Sequence, residues 1–240
     1  MNANPLKVTF AVAGGWVPPS YPLHLDSLLA YVEFRRSFFE LEDSPTPETI
    51  ARVIERLPCE RHTQDGEWVW KASALMPVGP TMSDTSFYTQ RRDKVDYSLR
   101  VRDGELQHGR IEPGKPLAFG AYPIDTLRGV HRNLLGYFPV QRPIADDGLL
   151  RLVAWCIGDR DQIEEALTDG TITHLGARRR SGFGRIVSVT VEEDPQAHEN
   201  WALRVRPWKL REDDAPIQAT WKPPYTNLAA QGAAFMPMSI

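Results

Sequence analysis

Long uninterrupted apolar runs are missing from this 240-residue chain, so no stretch reaches the length that a membrane-spanning helix needs. Residues 1–15 also lack a basic segment followed by a long apolar one, which argues against a secretory leader and leads to the expectation of a cytoplasmic protein with no membrane partner. Cysteine is scarce. Cys59 and Cys156 stand far apart, with no CxxC and no Cys or His companion at ligand spacing, so they read as reduced core thiols and not as a disulfide or zinc framework. No Asp, Glu and His cluster has metal-ligand spacing, which disfavours metal-dependent nuclease chemistry, and no cofactor is expected. Short-period repeats and low-complexity segments are absent too. A general basic field is also lacking, because 28 Lys and Arg face 31 Asp and Glu, for a net charge of -3 and a pI near 6.1. Any affinity for nucleic acid must therefore come from a local patch.

Such a patch exists at residues 174–186. His174-Leu175-Gly176-Ala177-Arg178-Arg179-Arg180-Ser181-Gly182-Phe183-Gly184-Arg185-Ile186 combines glycines, arginines and one aromatic, and no acid interrupts the chain from Thr171 to Val191. The glycines can take positive φ and admit a second backbone, while guanidinium forks suit phosphate oxygens. The loop follows a helical pattern and precedes a strand pattern. A Walker loop and a dinucleotide fingerprint both need the opposite order, strand then glycines then helix, so both are excluded. What remains is either a phosphate cradle or a solvated basic loop.

The rest of the chain can be read in order. Residues 6–13 form a strand ended by Gly14-Gly15. Leu25, Leu28, Leu29 and Val32 set an apolar face on a helix over about 24–38, with Arg35 and Arg36 at its C-terminal, negative end. Thr46-Pro47-Glu48 opens a second helix, with Ile50, Val53, Ile54 and Leu57 as its stripe and Pro58 as its stop. Period-two patterns place strands at 67–75, 95–101 and 117–124. Residues 128–142 resist assignment because Gly129, Gly136 and Pro139 interrupt any long element. Residues 149–157 read as a buried central strand, 159–167 as a short helix, 185–193 as a strand and 201–205 as another. Strand, turn and helix at one end, with strand, helix, glycine loop and strand at the other, suggest an α+β, ferredoxin-like (RRM-like) domain. It would be built from 1–73 and 148–212, with 74–147 as an inserted β-rich lobe and 213–240 as a C-terminal tail.

Three segments carry a resemblance. Residues 175–186 resemble the glycine-rich loop of the RAMP superfamily of CRISPR-associated proteins. Pro22-Leu23-His24-Leu25-Asp26-Ser27-Leu28-Leu29-Ala30 is similar to the opening of the first helix in the type IV CRISPR subunit that resembles the handle-capping Cas proteins, and Tyr88-Thr89-Gln90-Arg91-Arg92 looks like a short motif of that group. The resemblance implies a non-catalytic subunit of an effector ribonucleoprotein. It would grip the 5′ end of a guide RNA, cap a filament of backbone subunits and, with a large subunit, help present the complex to target DNA.

On that reading Gly176, Arg178, Arg179, Arg180, Gly182, Gly184 and Arg185 hold RNA, and Phe183 either stacks on a base or anchors the loop to the sheet. His24 is a further RNA-binding candidate, while Asp26 beside it suits a helix cap or the helix dipole better than a catalytic pair. Tyr88, Arg91, Arg92 and Lys94 suggest a thumb that pinches a strand, or else a lobe neutralised internally by Asp93 or Asp96. Arg128, His131 and Arg132 form another basic group, in which His131 is the best placed histidine for metal-independent RNA cleavage. A RAMP-type endoribonuclease that processes precursor guide RNA, using His131 or His24, is the alternative function. An interaction scaffold without RNA is a third.

Overall fold

The structure is a computed structural model that describes residues 3–39, 47–93, 121–124, 131–225 and 230–238. It divides into two compact units, one formed by Met1–Thr81 with Pro143–Ile240 and the other by Met82–Arg142.

The first unit is organised on β1 (Asn4–Ala13), whose alternating residues Leu6, Val8, Phe10 and Val12 are fully buried on one face. Helices α1 (Leu25–Phe39) and α2 (Pro47–Ile54) follow, and Leu25, Leu28, Leu29 and Val32 are buried on α1 as their spacing requires. A hairpin of β2 (Arg61–Gln64) and β3 (Glu67–Trp70) comes next, then the short β4 (Met76–Val78). Later in the chain lie β8 (Leu150–Gly158), α3 (Arg160–Thr168) and β9 (Arg185–Glu193). The main sheet has the order β4-β8-β1-β9, and every pair in it is antiparallel. Register places Leu6 opposite Cys156, Val8 between Ala154 and Val191, and Phe10 between Leu152 and Val189, so three strands supply one core face. With α1 and α3 this face encloses the main core, and both cysteines lie in it as buried free thiols. Burial of about 20 large apolar side chains on this scale is what offsets the chain's ordering entropy.

The local signals act as the residue chemistry requires. Asp159 caps α3 by accepting from the Gln162 N–H at 3.2 Å. Arg36, in the last turn of α1, donates to Glu33, Glu165 and Asp169, so it ties α1 to α3 as well as facing the helix dipole.

The second unit is a three-stranded sheet in the order β5-β7-β6, made of β5 (Thr81–Asp93), β6 (Ala121–Ile124) and β7 (His131–Pro143). β7 is a continuous strand through Gly136 and Pro139, where the sequence pattern supports no assignment. At the base of this unit Arg142 Nε bonds Asp84 Oδ2 at 2.8 Å. The strand expected at 95–101 and the first half of the one expected at 117–124 lie outside the described residues, while its second half is β6.

One expectation for the C-terminal third changes. Residues 201–205 are turns following the short helix α4 (Ala197–Asn200), because Trp201 and Ala202 pack under Trp208 and against Val69 and Ile157 without any strand partner. Beyond residue 213, β10 (Asp214–Ala219) pairs antiparallel with β11 (Gly232–Pro237), over a small core of Val205, Ala219 and Ala234. Among the described residues no helix is long and apolar enough to cross a membrane.

Candidate nucleic-acid interface

The 174–186 loop is shaped by hydrogen bonds to the turn that ends β1. The Gly184 N–H donates to the Gly15 carbonyl at 2.7 Å, and the Ala177 N–H donates to the Val17 carbonyl at 2.9 Å. Within the loop, Leu175 and Gly184 are joined at 2.8 Å, and Ile186 bonds back to Thr173 at 2.9 Å. Glycine is required at two of these positions. A Cβ on Gly184 would stand 2.0 Å from the Leu175 carbonyl oxygen, and one on Gly176 would stand 2.4 Å from Trp16 Nε1; both residues have positive φ.

Between these fixed points the chain makes one 3₁₀ turn, Arg179–Ser181, and Arg178 enters it with φ 57°. A non-glycine residue in this left-handed region costs about 1–2 kcal/mol. Arg178, Arg179, Arg180 and Arg185 are all exposed on this turn and the strand start that follows it. Arg179, Arg180 and Arg185 form no ion pair among the described residues, so the loop presents a concentrated positive surface. Phe183 is half-buried. Beside the turn is a polar cleft of about 290 Å³ lined by Tyr31 of α1, residues 171–174, Arg179 and Arg180. A larger groove of about 430 Å³ runs between α1, α2 and Pro223, Pro224 and Tyr225; its lining is almost wholly apolar and contains no charged residue.

His24 sits elsewhere. It is fully buried, its Nε2 accepts from the Val205 N–H at 3.2 Å, and its ring stacks on Tyr225 with centroids 4.6 Å apart. Burial, reinforced by the nearby Arg204 charge, holds its pKa well below the ordinary histidine value, so the imidazole is neutral. His24, a sequence candidate for RNA contact, therefore has no exposed side-chain surface. Asp26 is also fully buried. It faces Arg204 at 3.1 Å and accepts from the Tyr225 hydroxyl at 2.9 Å. Burial raises the Asp26 pKa against the opposing pull of Arg204 and Tyr225. The guanidinium of Arg204 is fully committed, donating also to the carbonyls of Trp70, Ala72 and Trp221. Although burial works against its charge, Asp26 and Tyr225 hold the Arg204 pKa above the usual value. A second buried pair, Arg206 with Asp214 at 2.9 Å, lies two residues on. Sequence reasoning missed both pairs: Asp26 and Arg204 are 178 positions apart, and Arg206 and Asp214, though only 8 apart, fall in no helix or strand pattern that would pair them.

Of the remaining candidates, Tyr88, Arg91 and Arg92 fall on β5 and His131 and Arg132 on β7, with their side chains outside the described residues. Lys94 and Arg128 lie wholly outside them. Among the described residues no three His, Cys, Asp or Glu stand close enough to hold a metal ion.

Comparison with known families decides the wider class. The family described as CRISPR type IV associated protein Csf3 matches residues 4–237, from the first strand to the last. The chain belongs to that family. A comparison with curated proteins gave no match. Family membership makes this a type IV CRISPR-associated subunit, with a mixed α and β architecture of antiparallel sheets and few helices.

Proposed function

We propose that the chain is a non-catalytic, cytoplasmic subunit of a type IV effector ribonucleoprotein that holds the 5′ handle of the guide RNA. It caps the filament of backbone subunits, next to the large subunit, and contributes to target DNA recognition. The observation that carries this reading is the loop itself: exposed arginines with no neighbouring acid in the sequence, raised on a backbone frame that two glycines fix. Such a surface meets a phosphate backbone from a rigid base, which positions RNA without reading its sequence.

The ferredoxin-like reading, with the loop as a RAMP glycine-rich loop, is supported by the β4-β8-β1-β9 order with all pairs antiparallel, and by the loop's place between α3 and β9. In this scheme 1–73 with 148–212 is the RAMP domain and 74–147 the inserted lobe, except that β4 (Met76–Val78) belongs to the RAMP sheet, and 213–240 is a C-terminal extension whose β10 and β11 pair. The thumb role of the lobe rests on its long strands β5 and β7, which carry Tyr88, Arg91, Arg92, His131 and Arg132. The full burial of His24 weighs against its use in an RNA-cleaving mechanism and supports the non-catalytic reading.

Purified protein is incubated with labelled precursor guide RNA in EDTA. Intact RNA that stays bound is the expected result, whereas site-specific cleavage abolished by His131→Ala would establish the endoribonuclease instead. Replacing Arg178, Arg179, Arg180 and Arg185 together should flatten the salt dependence of binding by about 3 in log–log slope, roughly 0.7 for each single-strand phosphate that goes unneutralised. An unchanged slope refutes the phosphate role of the loop.

A further inference from the structure

The cleft beside the 3₁₀ turn combines three kinds of group that a bare phosphate grip does not use together. Tyr31, 44% exposed on α1, brings an aromatic side chain that lines both this cleft and the apolar groove. Arg179 and Arg180 offer two cations without ion pairs among the described residues. Thr171, Thr173 and His174 offer small polar groups, with His174 Nδ1 3.0 Å from Thr173 Oγ1. No carboxylate lines the cleft. Its volume of about 290 Å³ is at the low end for small-ligand pockets, which suits one planar ring and its attached anion and nothing as large as a helix or duplex.

We propose that this cleft takes a single unstacked ribonucleotide. Its base lies on Tyr31, its phosphate on Arg179 and Arg180, and its ribose hydroxyls face Thr171, Thr173 and His174. The inference rests on the reading of the loop as an RNA-binding element, and it adds a position at which a base is drawn out of the strand. The ligand class follows from the lining. Inorganic phosphate leaves the aromatic ring without a role, and an acidic peptide leaves both the ring and the hydroxyls without one. A nucleotide uses all three, and a 2′-hydroxyl, both donor and acceptor, matches threonine and imidazole partners in a way that deoxyribose cannot. Stacking of one base on one aromatic corresponds to an affinity change of about 5- to 150-fold when that aromatic is truncated.

The test uses the full chain bound to a single-stranded oligouridine RNA in which every base is 4-thiouracil, irradiated and mapped by peptide mass. Adducts on the peptides carrying Tyr31 or residues 171–174 are expected; adducts confined to other peptides overturn the proposal. In parallel, Tyr31→Phe should hold RNA affinity within about twofold, since the ring face is retained. Tyr31→Ala should lower it about 5- to 150-fold with an unchanged salt slope, since every phosphate keeps its cation. Equal affinity for both variants overturns the pocket and leaves the loop's phosphate role standing, whereas absence of RNA binding by the unmodified chain overturns both. A matching oligodeoxyuridine that shows the same loss on Tyr31→Ala and the same starting affinity overturns the ribose contacts.

Discussion

The first unit keeps two groups of arginines in opposite conditions. Arg179, Arg180 and Arg185 stand in solvent on a strained loop without ion pairs among the described residues, whereas Arg204 and Arg206 are fully buried, each against its own aspartate. The same side chain therefore does two jobs, and what separates them is the distance to the nearest carboxylate. The exposed group lies in a window of the sequence without acid, and the buried group draws its carboxylates from another element. A guanidinium far from carboxylates keeps its field for a ligand, while Arg204, ringed by carbonyls and a carboxylate, spends its donors on its own fold.

The largest expected effect comes from breaking the buried side. Arg204→Ala leaves Asp26 buried with the Tyr225 hydroxyl but without its cation, leaves the carbonyls of Trp70, Ala72 and Trp221 without this donor, and should cost about 3–5 kcal/mol in denaturant unfolding. Arg204→Lys should recover only part of this, because an ammonium cannot reach the carbonyls of Trp70, Ala72 and Trp221 as a fork does. Next comes the frame of the exposed side. Gly184→Ala forces both a left-handed alanine and a backbone clash and should destabilise by at least about 2 kcal/mol, while Gly182→Ala, with open space around its Cβ position, should cost about 1 kcal/mol.

His24 gives a pH test of the buried side. Its pKa is depressed in the folded state, so the unfolded chain takes up a proton first as pH falls. The stabilisation is therefore full above about pH 6.5 and is lost progressively below it, toward the depressed folded value, by up to about 1.4 kcal/mol per pH unit. Unfolding midpoints measured from about pH 7.5 down to about 5 should show this slope, and His24→Gln should remove it. The smallest effect belongs to the exposed group: Arg179→Ala with Arg180→Ala should change stability by no more than about 0.5 kcal/mol, a melting curve close to that of the unmodified chain. A larger loss would mean that these residues also serve the fold, and the contrast would fail.

Local chemistry made much of this readable in advance. The α1 face, the Pro47 start of α2, the short helix over 159–167 and the first strand all depend on neighbours within a few positions, as does the apolar run of β8, and the structure forms each of them. The glycine and arginine loop was legible for the same reason. Three features were not. β7 crosses Gly136 and Pro139, which weigh against a strand in isolation but are carried by pairing within its sheet, Gly136 standing opposite Ala121 of β6. Residues 201–205 have apolar alternation, yet tryptophan packing sets their shape and no strand pairs with them. The role of His24 and Asp26 was hidden because their partners, Arg204, Val205 and Tyr225, come from the far end of the chain. A buried polar residue shows its purpose only when its partner is known.

The bond from Gly184 to Gly15 has a kinetic side. The turn after β1 is synthesised among the first residues of the chain, and the loop that docks on it emerges roughly 160 positions later, so the loop cannot take its shape until β9 has zipped onto β1. Closing that long-range pair completes the central sheet and presents the arginines in one event. A chain stalled or truncated before β9 would carry neither a finished core nor the framed basic loop.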